Sequence, residues 1–246
     1  MNLNLLANTF LSKFSDIFGY FFDFSPNGTG EKLFTAFGES ILMTLISTIF
    51  AYVIGLPIGV LLYVTSKKGL KPNKAINMII GTIVNIFRSL PCVMLIMILI
   101  PLSNILIGNG LWSGHWYSMI LPLVFASFGF VARMVEQSLL EVNAGVIEAS
   151  RSLGASNWQI IYKVLISEAK PSLVSGFAVS VVSIIGYTSF AGYIGAGGLI
   201  AHSFNLGYYG TDKIGMWICI IFVVLIVQLI QEGGLYISKK LDKRRK

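Results

Sequence analysis

The sequence predicts an all-α, polytopic membrane protein with five transmembrane helices. Composition is the first reason: of 246 residues, 55% are apolar and only 12% are charged, about half the charged share of a soluble domain. The mean hydropathy of +0.77 agrees. Second, the apolar residues gather in runs of roughly 20, the length a helix needs to cross a hydrocarbon core about 30 Å thick. Third, basic residues collect at the ends of alternate runs. A disordered chain, a disulfide scaffold and a water-soluble enzyme are excluded, because too little polar residue exists to cover a soluble surface. Cys92 and Cys219 lie inside apolar runs and read as small core hydrophobes. The formal charge of +7 does not point to nucleic acid, because its position at segment ends fits a membrane surface.

Residues 1–36 come first. Leu3, Leu6, Phe10, Phe14, Ile17, Phe18 and Phe21 recur at helical spacing with polar residues between them. Lys13 and Asp16 make a full span costly. An amphipathic helix in the outer interface is expected, with a sixth span as the alternative. Without a basic start or a small-residue cleavage site, a secretory signal is not expected. Residues 25–30, Ser-Pro-Asn-Gly-Thr-Gly, read as a turn. The transmembrane domain then occupies residues 37–238. Its first span covers residues 41–64. The next run, 75–107, is too long for one upright helix, and Arg88, Pro91, Pro101 and Asn104 interrupt it. It either begins as a lead-in near the surface or kinks at Pro91. The remaining spans are expected over residues 117–131 continuing towards 140, over 173–190 and over 214–237. Residues 239–246 form a basic tail.

Five spans put the termini on opposite sides. Lys67, Lys68, Lys71 and Lys74 follow the first span, Arg151, Lys163 and Lys170 lie between the third and fourth, and the tail adds Lys239, Lys240, Lys243, Arg244, Arg245 and Lys246. These are thirteen of the 18 basic residues, all on one face. The opposite loops, 108–116 and 191–212, hold no Lys or Arg. The positive-inside rule makes the C-terminus and the long middle loop cytoplasmic and the N-terminus external. Trp112, Trp116, Tyr117, Tyr208, Tyr209 and Trp217 mark the outer interface.

The middle loop, 141–170, is too polar for the membrane. Val146, Ile147 and Leu153 recur at helical intervals until Gly154 breaks the pattern. Ser156-Asn157-Trp158-Gln159 has the form of a capping box. Ile160, Ile161, Val164 and Leu165 give a second short helix an apolar stripe, and Pro171 disfavours helix at Lys170 and so ends it. A helix–turn–helix with an apolar side that the bilayer does not cover suggests docking of a cytoplasmic partner, or else packing against the protein's own helix ends.

Glu148-Ala149-Ser150, three residues, Gly154, nine residues, then Val164-Leu165-Ile166-Ser167 resembles the EAA loop of ABC importer permeases, with Ser150 and Ser167 departing from the family's Ala and Pro. Further stretches resemble the methionine-uptake branch of that family. They are residues 85–91, Asn-Ile-Phe-Arg-Ser-Leu-Pro; 99–101, Leu-Ile-Pro; 132–136, Ala-Arg-Met-Val-Glu; 140–142, Leu-Glu-Val; 145–149, Gly-Val-Ile-Glu-Ala; and 186–192, Gly-Tyr-Thr-Ser-Phe-Ala-Gly. The stretch 195–199, Gly-Ala-Gly-Gly-Leu, is shared with quaternary-amine and phosphonate permeases. The resemblance runs from about Ser40 to Tyr236. It implies a type I importer permease fold, a homodimer with the pathway at its two-fold axis, and two ATP-binding subunits docked on the coupling helices. It also implies an external substrate-binding protein or lipoprotein and, as cargo, D- or L-methionine. A permease for another amino acid or a quaternary amine is the alternative within the class; an ATP-independent secondary transporter is the alternative outside it.

The coupling positions so implied are Glu148, Ala149, Ser150, Gly154 and Ser156. No Gly-x-x-x-x-Gly-Lys-Ser/Thr segment occurs, so ATP hydrolysis is expected of another chain and not of this one. His115 and His202 lie far apart and no nucleophile–His–carboxylate set presents itself, so neither a metal, a cofactor nor a catalytic centre is expected. Ionisable residues at membrane depth are candidates for the pathway or its gate. Arg88 heads them, with Ser89 and Pro91 beside it; a continuous helix from Lys74 puts it at mid-membrane, whereas a surface-lying lead-in lets it reach the interface. Arg133 and Glu136, three apart, share a helix face as an intrahelical pair or a gate. Tyr187, Thr188 and Ser189 bring hydroxyls to the end of the fourth span, followed by glycines that allow a short excursion on the outer side.

Overall fold

A computed structural model describes residues 19–20, 23, 25, 28–107 and 114–242. Most of the amphipathic pattern over residues 3–21, Trp112, and the tail from residue 243 onward lie outside the described residues. The described residues form helices and no strand. Four helices, and a fifth unit bent in its middle, are long and apolar enough to cross a membrane.

Helix α1, Thr29–Thr65, is 37 residues long, about 55 Å at 1.5 Å per residue and far more than a bilayer core requires. It starts inside the expected turn and crosses residue 36, where the sequence suggested a boundary. The first turn is anchored by Asp23, which accepts the Thr29 amide at 3.1 Å; the Ser25 hydroxyl, and then that bond, hold the Asp23 carboxyl below its ordinary range. The projecting turns meet the glycine-rich loop at the far end of the chain. Glu39 Oε2 accepts the Gly198 amide at 2.8 Å and Ser40 Oγ accepts the Leu199 amide at 2.7 Å.

Helices α2, Lys74–Ser89, and α3, Cys92–Ile107, divide the second apolar run and meet at 97°. The break is at Pro91. A residue before proline is pushed out of the helical region, and Leu90 sits at φ −75°, ψ 128°. The other suggested interruptions do not occur: α3 continues through Pro101 and Asn104, and Asn104 is buried. Helix α2 runs antiparallel to α4, Ile120–Leu140, which follows a 3-10 turn at Trp116–Met119. Gly81 faces Arg133, and Arg88 lies against Gly129. The Phe87 ring meets Phe125 and Phe128 at 5.9 and 4.9 Å. Asn77 Nδ2 donates to Leu62 O at 2.8 Å and fixes the other end of α2 to α1.

A close crossing joins α1 to α4. Ser47, Ala51, Gly55 and Gly59 recur every four residues and form a strip of small side chains, which lets two helix backbones approach. A Cβ added at Gly59 would stand 2.5 Å from Ala132 O, and one at Gly55 would stand 2.9 Å from Phe128 O. The middle loop carries α5, Ala144–Ser152; α6, Asn157–Gln159; a π-helical turn, Ile160–Leu165; and α7, Ile166–Glu168. Helix α8, Lys170–Tyr193, follows almost without pause. Pro171 therefore does not exclude Lys170 from helix. It occupies the first turn of α8, where its missing N–H leaves no bond unmade. Tyr52 of α1 bonds Ser180 of α8 through their hydroxyls at 3.3 Å. The expected excursion is α9, Gly198–Ser203, continued by a π-helical turn over Phe204–Tyr208. Gly195, Gly197 and Gly198 reach it with φ of +72°, +80° and +88°. Helix α10, Lys213–Leu241, packs on α8 and closes the fold.

Candidate functional site

The middle loop is a built turn. Asn143 caps α5 by accepting the Gly145 amide at 2.8 Å. Beyond Leu153 the chain reverses at Gly154, with φ +79°. The Gly154 amide donates to Arg151 O at 2.9 Å and the Ala155 amide to Ser150 O at 3.1 Å. This pair of bonds is a Schellman motif, whose first residue past the helix adopts the left-handed conformation and favours glycine. Ser156 then opens α6 with both bonds of the capping box: its Oγ accepts the Gln159 amide at 3.4 Å and its own amide donates to Gln159 Oε1 at 2.8 Å.

Glu148, Ala149, Gly154 and Ser156 are exposed on this loop. Ser150 is half-buried and turns its hydroxyl back to Val146 O at 2.8 Å. At the reversal stands Leu153, 88% exposed, more than any other large apolar side chain among the described residues. The second limb faces the opposite way. Ile160 and Leu165 are fully buried, in a cluster with Tyr63 and Leu70 and with Leu139 and Val142. Arg151 donates to Leu70 O at 2.9 Å. Two anchors thus bind the loop to the ends of α1 and α4.

The pathway candidates divide. Arg88 lies against Gly129, halfway along α4. Its side chain is exposed from the single chain, as are Ser89 and Pro91. Cys92, just past the kink at Pro91, and Tyr187 pack on one apolar cluster with Ile96 and Leu123, which brings the kink and the end of α8 together. Thr188 and Ser189 return their hydroxyls to their own helix, donating to Ile185 O at 2.7 Å and Gly186 O at 2.6 Å. Thr188 is buried beside an apolar cavity of about 370 Å³ between α1, α8, α9 and α10. Among the described residues, no group of three or more His, Cys, Asp or Glu is placed to hold a metal.

These elements have counterparts in known proteins. The family model described as "Binding-protein-dependent transport system inner membrane component" matches residues 55–242. The chain belongs to that family. It is 37% identical over 206 residues to the probable D-methionine transport system permease protein MetI of Pasteurella multocida, covering 84% of this chain and 94% of that protein. To the methionine import system permease protein MetP of Bacillus subtilis it is 42% identical over 184 residues, or 75% and 82% of the two chains. A solved structure of the MetNI methionine ABC transporter in an inward-facing conformation superposes with a TM-score of 0.84 at 36% identity, covering 89% of this chain and 100% of that one.

In this inner membrane component Arg133 is a strut. Its guanidinium pairs with Glu136 at 2.7 Å and also donates to Gly81 O at 3.2 Å and Asn85 Oδ1 at 2.9 Å, joining α4 to α2. The sequence offered only the i,i+3 pair; the two α2 acceptors, 52 and 48 residues away, carry no local signal. Arg133→Met is expected to cost about 2 kcal/mol, as charged hydrogen bonds are lost, and to lower the melting temperature of the purified permease. Arg133→Lys should recover little, because an ammonium lacks the planar fork that reaches three acceptors. An unchanged melting curve for Arg133→Met would remove the strut.

Proposed function

We propose that this chain is the membrane-spanning subunit of a methionine importer, paired with a second copy of itself and driven by two copies of a separate ATP-binding subunit. The observation that carries this is the extent of its likeness to the MetNI methionine transporter, which spans both the membrane helices and the loop with its anchored second limb. Glu148, Ala149, Ser150, Gly154 and Ser156, with Leu153 at the tip, form the surface that meets the ATP-binding subunit. The loop and the C-terminus are cytoplasmic and the N-terminus external, on the charge asymmetry of the loops. A substrate-binding protein delivers cargo from outside to a pathway near Arg88 and Tyr187. Methionine is neutral overall and carries a polarizable thioether, which suits the third and fourth spans, whose acid, Glu136, is paired with Arg133.

Two measurements test the reading. In cells lacking other methionine importers, co-expression with the ATP-binding subunit and binding protein should restore ATP-dependent methionine uptake that arginine and histidine do not inhibit; uptake of choline or betaine instead would overturn the substrate. In a cysteine-free background, a cysteine at exposed Ser156 should be shielded from an impermeant thiol reagent applied to intact cells, whereas one at exposed Thr211 should react. Labelling of Ser156 from outside would reverse the topology.

A further inference from the structure

A groove of about 870 Å³ opens between the end of α1 and the second limb of the middle loop. One wall includes Leu56, Val60 and Val64, all within the apolar run of the first span. The other is formed by the rings of Trp158 and Tyr162, 80% and 74% exposed, and Lys71 and Lys163 stand exposed at its rim. Among the described residues neither ammonium takes part in an ion pair.

We propose that this groove binds an anionic phospholipid, its acyl chain along α1 and its phosphate between Lys71 and Lys163. Depth argues for a lipid: the α1 wall lies where the chain is read as embedded in hydrocarbon, out of reach of a water-soluble subunit. Chemistry argues for an amphiphile. An apolar trench calls for a chain, exposed Trp and Tyr rings belong at the level of the headgroups, and two unpaired ammoniums at the basic end of the helices attract acidic headgroups. The docking tip at Leu153 is the reversal of the loop and is absent from the groove lining, so lipid and ATP-binding subunit need not compete. A lipid seated here would brace Trp158 and Tyr162 against α1 and stiffen the second limb. The proposal rests on the chain's membrane embedding and is independent of its cargo.

Trp158 is a reporter in place, since the sequence reads Trp112, Trp116 and Trp217 as residues of the outer interface. The full-length chain with those three replaced by Phe would be reconstituted in nanodiscs containing phosphatidylglycerol or phosphatidylcholine with brominated acyl chains at equal mole fraction. Brominated phosphatidylglycerol is expected to quench Trp158 with about five- to tenfold stronger relative association, and Lys71→Gln with Lys163→Gln should bring the two lipids level. Native mass spectrometry of the chain with all tryptophans intact should show retained phosphatidylglycerol that the double Gln variant loses, which secures the test if the Phe variant folds poorly. Equal quenching by both lipids, no quenching by either because protein covers the groove, or a preference that survives the double substitution would each overturn the proposal. None of these readouts involves methionine, so failure here is distinct from failure of the transport reading.

Discussion

Gly59→Leu is expected to prevent the permease from accumulating as a folded protein. Helix propensity alone predicts the opposite, because leucine in place of a helical glycine stabilises by up to about 1 kcal/mol. The crossing of α1 and α4 decides the sign. A Cβ at Gly59 would meet Ala132 O at 2.5 Å and Val135 Cβ at 2.7 Å, and a backbone oxygen cannot rotate away. The helices must separate, breaking contacts along the strip that Ala51 and Gly55 continue. Overpacking typically costs about 1–3 kcal/mol and occasionally more; against unyielding backbone the upper end applies, which exceeds the propensity gain and is a large part of a typical folding free energy. Size-exclusion yield and the melting temperature of detergent-purified protein would measure it. Gly233→Ala is the control: nothing lies within 4 Å of the added Cβ on α10, so that change should be neutral or slightly stabilising. A Gly59→Leu protein with native yield and melting temperature would show that the strip does not set the distance between α1 and α4.

Gly154→Val is expected to lower ATP-dependent uptake by about tenfold or more while the protein still inserts and folds. No atom lies within 4 Å of a Cβ at this position, so no clash arises. The cost lies in the backbone. At φ +79° an L residue pays about 1–2 kcal/mol, and a β-branched one is a marked outlier. A penalty of 1.4 kcal/mol shifts a conformational equilibrium tenfold, enough to displace the Schellman turn and misplace Leu153. Gly154→Asn should retain most uptake, because asparagine tolerates the left-handed region. Glu148→Lys and Leu153→Asp test the same surface without disturbing the turn, and each should weaken pull-down of the ATP-binding subunit. Uptake in vesicles at matched protein levels is the measurement. Full uptake in Gly154→Val would remove the turn from the coupling mechanism, and equal loss in Gly154→Val and Gly154→Asn would locate the defect elsewhere than in backbone strain.

The middle loop was largely legible in the sequence because its determinants are local. Ser156 and Gln159 are three residues apart, and a glycine after a short amphipathic run marks a helix end whatever surrounds it. The direction in which Leu153 faces was not legible. An apolar residue in a helical stripe reads as core, and only the placement of Ile160 and Leu165 under Tyr63 and Leu139 leaves Leu153 outside. The α1–α4 crossing did leave a trace, the four-residue spacing of Ser47, Ala51, Gly55 and Gly59, but that spacing names no partner. The hydroxyls of Thr188 and Ser189 looked available for a pathway until the fold turned both back onto α8.

By itself, the sequence determined how many apolar segments there are, that the second is too long for one upright helix, which end of the molecule is basic, and how the middle loop is capped. Each follows from chain length against bilayer thickness or from bonds between near neighbours. Tertiary structure alone decided that α1 extends to meet Gly198 and Leu199 and that Arg133 ties α4 to α2. Those outcomes depend on side chains and amides 48–159 residues apart. Hydrocarbon offers no water to satisfy a polar group left unpaired, so whichever helix brings an acceptor within reach fixes the partner, and no local pattern encodes which helix that is.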